Sequence, residues 1–405
     1  MRIDMKARLR RATTPKNGVP MQNHYYESVS VGLGILQVVL YLSLFAFVVL
    51  SFFRNTQLIT YQTFYHFIKD LNASAESVFD ATSDTVSYPT DDQQSFTLYR
   101  QGLAVAGNAN VTVFTASGRQ TVSQNIQYQN PTAIGSGKYL LVYELGGTQY
   151  SLYNSYTKIH EGVSDHPINH AAISESGMFA LVSASEGYTS TVSLYSSRFS
   201  LLNRYHKSGY VMDVAINKRG TQVSILSIAP QNGSFTTEWM LCKPGEDSAQ
   251  VTKQFLSRVG WRCEYTASDR IVLLHEAGVS FFDSDGKALQ EYDFQGKTLL
   301  FVDFDTAGTA ICLQGTAFFS KKELIVFDKN GKILYNEMEP ETPLQMDLIG
   351  QTLFFLSEDG VIRLDLKNAD RTFVACATAQ KTLLATTEEE VLLCSPHQGE
   401  YLRFP

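Results

Sequence analysis

Three histidines, His160, His166 and His170, fall within one eleven-residue stretch that also holds Glu161 and Asp165. Imidazole and carboxylate are ligands for transition metals, so this stretch is the first place to look for a metal. Its spacing matches no recognised metal motif, and it joins two β-rich segments. It reads as a surface loop, with a metal site as the alternative. Asp283-Ser284-Asp285-Gly286 places carboxylates at alternate positions, as a calcium loop does. A calcium loop continues through further oxygen ligands to a closing Glu. Here Gly286 comes too early and strand residues follow, so the run reads as a turn. The five cysteines, Cys242, Cys263, Cys312, Cys376 and Cys394, show no C-x-x-C spacing. Cys312 and Cys394 lie in apolar strand contexts and read as small buried hydrophobes. An odd count leaves at least one thiol unbridged. Cys376 with Cys394 is the bridge the order of the segments favours.

No G-x-S-x-G elbow, H-E-x-x-H pair, P-loop or dinucleotide fingerprint stands in a supporting context. Carboxylate pairs for glycoside hydrolysis can be assembled from distant parts of a chain, but nothing in the sequence singles out a pair. The sequence therefore assigns no catalytic, cofactor-binding or metal residue, and no cofactor.

The elements that would position any such chemistry are easier to read. Val29 to Phe53 is a run of 25 residues with no charge and one strongly polar side chain, Gln37. At about 1.5 Å per helical residue it exceeds the roughly 30 Å hydrocarbon core of a bilayer. Residues 1–28 carry six basic side chains against Asp4 and Glu27, a balance of +4. The positive-inside rule predicts a cytoplasmic tail over 1–28, a membrane helix over 29–53 and an extracytoplasmic remainder. No small-residue cleavage site follows the apolar run, so the anchor reads as uncleaved. The overall charge of −7 leaves about −11 for the rest of the chain. That acidity argues against nucleic acid as a partner, because phosphate binding needs clustered Lys and Arg.

Residues 54–82 place Leu58, Tyr61, Phe64, Tyr65, Ile68 and Leu71 at spacings of three and four, the pattern of an amphipathic helix. It reads as a stalk, with a dimerisation helix as the alternative. From about residue 83 to 405 the helical period is lost. Short β-branched and aromatic runs alternate with Gly, Asn, Asp and Ser turns, the mark of many antiparallel strands. Four-strand groups begin near Phe96, Pro131, Ile168, Tyr210, Trp261, Thr298, Pro343 and Lys381. Hairpins such as Val279 to Leu289 and Ile325 to Tyr335 repeat one form: a strand, a turn ending in Gly, a basic residue, a second strand. Gly177 and Gly220 mark equivalent turns between first and second strands.

Sheets of four strands cannot bury both faces alone, and radial arrangement gives a β-propeller. The last group, Lys381 to Phe404, has only three strands. Its missing outer strand is predicted over Asp84 to Tyr88, which would join the two ends of the domain in one blade. The fold class is thus all-β: an eight-bladed propeller, with seven blades as the competitor, preceded by a transmembrane helix and a short amphipathic helix.

The Phe-Asp-x-x-Gly-Lys-x-Leu hairpins resemble the repeat of pyrroloquinoline-quinone-type propellers, such as the outer-membrane assembly propeller and the quinoprotein dehydrogenases. The dehydrogenases set their quinone on a Trp floor beneath adjacent cysteines, beside a calcium ion. This chain has only Trp239 and Trp261 and no Cys-Cys pair, so the resemblance implies the turn and not the cofactor. The anchor, Tyr61 to Asp70, Phe96 to Val105 and Tyr139 to Gly147 together resemble an uncharacterised family of single-pass membrane proteins in Clostridia-type Gram-positive bacteria. That resemblance implies the architecture and no reaction.

The expected function is a non-catalytic binding or scaffold role at the cell membrane, with protein or cell-envelope partners. The alternative is an envelope glycan hydrolase or lyase with carboxylates in the propeller funnel. An enzyme should show convergent buried acids at the channel; a scaffold should show an exposed aromatic or apolar surface.

Overall fold

The structure, a computed structural model, describes residues 33–43, 45–46 and 85–404, apart from 232, 267–269, 316–320, 340–342 and 378–381. The chain divides into two units, Met1–Glu76 and Ser77–Pro405. In the first, the described residues are helical. Among the described residues no helix is long and apolar enough to cross a membrane. The described helix covers only part of the expected span 29–53, and the whole 54–82 stretch lies outside the described residues.

Among its described residues the second unit holds 32 strands in eight sheets, each four-stranded. Every pairing between neighbouring strands is antiparallel, and in seven of the eight sheets the four strands follow one another as a meander. The first strands of successive blades pack against one another around a central axis, which makes the domain an eight-bladed β-propeller. The inner strands are Gln94–Tyr99, Pro131–Ser136, Ile168–Ile173, Tyr210–Ile216, Gly260–Thr266, Thr298–Asp305, Gln345–Ile349 and Thr382–Thr387, for blades 1 to 8. Each begins within two residues of the start predicted from sequence. The offsets fall where a polar or glycine residue opens the strand, at Gln94, Gly260, Gln345 and Thr382. The count is eight blades, not seven.

The reason for the ring lies in the burial pattern. Eight hydrophobic clusters are present among the described residues, and each draws on two neighbouring blades. One joins Ala180, Val182 and Leu194 of blade 3 to Val214, Val223 and Ile225 of blade 4. Another joins Val272 and Phe281 of blade 5 to Ile311 and Phe327 of blade 6. Trp239 is fully buried between blades 4 and 5, and its indole N–H donates to Ser224 Oγ at 2.8 Å. A blade by itself would leave both faces wet; stacked against its neighbours it buries both.

The hairpins behave as their sequences require. Gly286 and Gly331 sit at φ of 76° and 88°, a region open to glycine at little steric cost. Asp283 Oδ1 accepts the N–H groups of Asp285 and Lys287 at 3.0 and 2.8 Å. Asp328 does the same for Asn330 and Lys332 at 2.8 and 2.9 Å. These aspartates fold their own turns.

The ring closes as predicted. Thr85–Ser87 is the outer strand of blade 8 and pairs with Gln398–Arg403. Tyr88 follows, buried, with its O–H donating to Ser395 O at 2.7 Å and its N–H to His397 O at 3.2 Å. Removing that ring and its bond by Tyr88→Ala should destabilise the propeller by about 3–5 kcal/mol, the usual loss for a buried aromatic. Thermal unfolding of the full chain in detergent checks this; an unchanged midpoint would mean that the closure carries little of the stability.

Candidate functional site

The inner strand of each blade is a sheet edge. Every second N–H along it points away from its own sheet, toward the channel. In a closed ring these groups need acceptors, and the neighbouring blade supplies them. Ser95 Oγ and Thr97 Oγ1 of blade 1 accept the N–H groups of Ala133 and Gly135 in blade 2, at 3.0 and 3.3 Å. Asp303 and Asp305 of blade 6 accept from Leu348 and Gly350 in blade 7, at 2.7 and 3.0 Å. In blade 7, Gln345 accepts from Leu383 of blade 8 at 2.8 Å and donates to its carbonyl at 3.0 Å. Asp347 accepts from Ala385 at 2.7 Å. Donors and acceptors both recur at i and i+2, the period of a strand.

The junction of blades 3, 4 and 5 is built around one buried carboxylate. Asp213 Oδ1 lies 2.7 Å from His170 Nε2 of blade 3, and Oδ2 accepts Cys263 N–H of blade 5 at 2.8 Å. Arg262 approaches from blade 5, its Nε 4.0 Å from Asp213 Oδ2 and its Nη2 3.9 Å from Glu264 Oε2. The same guanidinium lies over the Phe304 ring of blade 6, 5.1 Å from its centroid, within cation–π range.

Five carboxyl groups from four blades therefore converge on the channel: Asp213, Glu264, Asp303, Asp305 and Asp347. Their crowding has an electrostatic consequence. Glu264 is partly open to the channel yet densely surrounded by protein, and burial, with Asp213 adding to it, pushes its carboxyl up to about 7. Burial raises Asp303 and Asp347 as well, and for Asp347 the charge of Asp303 adds to it. Desolvation and like charge both disfavour the anion.

The end of the ring where the inner strands begin has a different character. Tyr210 opens the inner strand of blade 4, Trp261 is the second residue of that of blade 5, and both are exposed. At the same end the hairpin between Val223–Gln231 and Ser234–Cys242 carries exposed Phe235. Leu256, opposite Thr236 in the pairing, is 68% exposed. Tyr188 of blade 3, exposed as well, stacks on His206 with ring centroids 4.4 Å apart. Ion pairs between neighbouring blades run beside these side chains: Lys207 with Glu238 and Arg258 with Glu291.

The residues singled out in the sequence are dispersed. His160 stacks on Phe199, with centroids 4.5 Å apart, in the seam between blades 2 and 3. His166 lies in the loop before the inner strand of blade 3, and only His170 reaches the channel. Among the described residues no group of three or more His, Cys, Asp and Glu is placed to hold a metal ion. No disulfide joins Cys376 to Cys394: Cys394 is a buried free thiol, with Cys242, Cys263 and Cys312 likewise. They serve as small core residues, and burial raises each thiol's pKa. A small cavity between blades 4 and 5 is lined by Leu226, Thr237, His275 and Ser280. Burial lowers the His275 pKa to about 4, so this imidazole is neutral.

The chain belongs to DUF5711, a family of unknown function, whose model matches residues 77–386. No curated protein matches the sequence. Among solved structures it is similar to Sqt1 of Saccharomyces cerevisiae, at 8% identity and a TM-score of 0.57, covering 79% of this chain and 97% of that one. It is similar also to BamB of Moraxella catarrhalis, at 12% identity and a TM-score of 0.53, covering 81% and 100%. At these identities the likeness shows the fold alone.

Asp213 is the part of this site whose loss should be felt most. Asp213→Ala leaves the Cys263 N–H buried without its acceptor and His170 without its partner. A loss of about 2–4 kcal/mol is expected, read from the denaturation midpoint of the full chain. A change below about 0.5 kcal/mol, the usual range for plain surface positions, would show that the carboxylate does not hold the blades.

Proposed function

We propose that this protein is a membrane-anchored, extracytoplasmic propeller that works as a non-catalytic docking protein for protein or cell-envelope partners. The observation that carries the reading is the division of labour between channel and end face. Asp213, Asp303, Asp305 and Asp347 each accept a backbone N–H of the next blade. They are held in structural bonds and poorly placed to turn over a substrate. The aromatic side chains near the inner-strand starts of blades 4 and 5, Tyr210 and Trp261, are by contrast exposed. Tyr, Trp and Phe are the residues that dominate docking surfaces.

The anchor is supported by the apolar run and its basic flank. In the described helix, Leu33, Ile35, Leu36, Val38, Val39, Leu40, Tyr41, Leu42 and Phe45 are each more than half exposed. A helix that is apolar all round asks for an apolar surrounding. The strand Thr85–Ser87 runs toward the aromatic end of the ring.

A second reading, a glycan hydrolase or lyase, is favoured by one feature. Glu264, with its carboxyl raised to about 7 beside Arg262, has the poise of a general acid.

Two experiments separate the readings. In native membranes, the double substitution Tyr210→Ala and Trp261→Ala should weaken crosslinking to the partner at least about tenfold, since hot-spot aromatics contribute about 1–2 kcal/mol or more each. Glu264→Gln should leave it intact. Loss of glycan release in Glu264→Gln, with unchanged crosslinking in the double variant, would move the function into the channel. Protease digestion of sealed, right-side-out vesicles should degrade the propeller and spare residues 1–28; a protected propeller would overturn the topology.

A further inference from the structure

Two carboxyl groups that share a hydrogen bond cannot both be anions, because a carboxylate has no proton to donate. Asp303 on the inner strand of blade 6 and Asp347 on that of blade 7 stand in this relation, because the Asp303 carboxyl sits on the backbone N–H of Leu348, the residue next to Asp347. Each also reaches forward by one blade. Asp303 Oδ2 accepts Leu348 N–H and Asp347 Oδ2 accepts Ala385 N–H, both at 2.7 Å. One carboxyl pair therefore links blade 6 to blade 7 and blade 7 to blade 8.

The surroundings offer little positive charge to replace a proton. From blade 6, Asp305 adds another carboxylate, which accepts the N–H groups of Gly350 and Ala307 at 3.0 and 3.1 Å. From blade 5, Arg262 acts on Asp303 but lies nearer Asp213 and Glu264. The remaining inner-strand residues of blade 7, Gln345, Met346, Leu348 and Ile349, are uncharged, as is the whole of Thr382–Thr387 in blade 8. Glu388, just past that strand, accepts the Gln351 N–H at 2.9 Å.

We propose that a single proton held between Asp303 and Asp347 is a working part of the ring, and that its loss at alkaline pH loosens blades 6 to 8 while the rest stays closed. The contrast is built into the residue types. Blades 1 and 2 are joined by the neutral hydroxyls of Ser95 and Thr97, which do not titrate in this range. The device would let the pH on the channel side set the rigidity of one sector of the propeller.

Burial raises both carboxyls in the folded state, with the charge of Asp305 adding to it at Asp303 and that of Asp303 at Asp347. The folded protein then holds a proton that the unfolded chain has already released. The stability linked to it is present at low pH and lost as the pH rises through the folded values.

Hydrogen exchange on the full chain in detergent, corrected for the intrinsic pH dependence, tests this directly. Protection over residues 345–350 and 382–387 should fall at least about tenfold between about pH 6 and about pH 9. Protection over 131–136 should not change. Asp347→Asn keeps an acceptor for Ala385 and gives Asp303 a permanent donor, so it should abolish the pH dependence. An infrared band of a protonated carboxyl at neutral pH, absent in Asp347→Asn, is the second readout. It stands on the wild-type spectrum if the variant fails to fold. Parallel loss of protection in both sectors, an unaltered pH profile in the variant, or no protonated-carboxyl band in the wild type would overturn the proposal.

Discussion

A four-stranded sheet has two edges, and a ring of such sheets turns one edge of every blade toward a narrow channel. The backbone N–H groups on that edge cannot pair with a further strand, and they cannot be left unpaired where protein crowds them. In this propeller the answer is a side-chain acceptor placed on the inner strand of the preceding blade. Ser95, Thr97, Asp213, Asp303, Asp305, Gln345 and Asp347 all serve in this way. The spacing of these residues, their acidity and the electrostatics of the channel all follow from that one requirement. Where the acceptor is a hydroxyl, the junction is neutral. Where it is a carboxylate, the junction gathers negative charge, and protons or Arg262 must balance it.

The hydrophobic clusters impose the complementary constraint. Each lies between two blades, so no blade is complete without both neighbours. Closure by Thr85–Ser87 then matters beyond its three residues, because it joins the two ends of the repeat array and removes the last open edge. A ring closed this way can present side chains at its ends on a rigid frame. Tyr210 and Trp261 stand at the starts of two neighbouring inner strands, and the clasp between Asp213 and Cys263 holds those two strands together.

The repeat was legible in the sequence because its signals are local. Asp283 to Gly286 and Asp328 to Gly331 announce their hairpins through a side chain that bonds its own turn and a glycine that supplies the positive φ. The three-strand final group and the spare strand before Phe96 together gave the closure. The candidate site was not legible, for a physical reason. Asp303 and Asp305 are visible as two acids at i and i+2 inside an otherwise apolar strand, Leu299-Leu300-Phe301-Val302-Asp303-Phe304-Asp305. Their partners lie 45 residues away, and only the closed ring brings the two together. Acid at alternate positions of an inner strand was the available signal, and it reads as a latch once the edge N–H groups opposite it are counted. The histidines are close in sequence, but His160 lies on the outer strand of blade 2, Lys158–Val163, and His170 on the inner strand of blade 3.

The most direct test is residue-resolved hydrogen exchange of the folded protein at one pH, read at the inner-edge amides Ala133, Gly135, Cys263, Leu348, Gly350, Leu383 and Ala385. If side-chain acceptors close the ring, these amides are protected as strongly as those paired inside a sheet. If they exchange at the rate of exposed edge strands, the clasps do not form in solution, and the channel carboxylates are free for a different task.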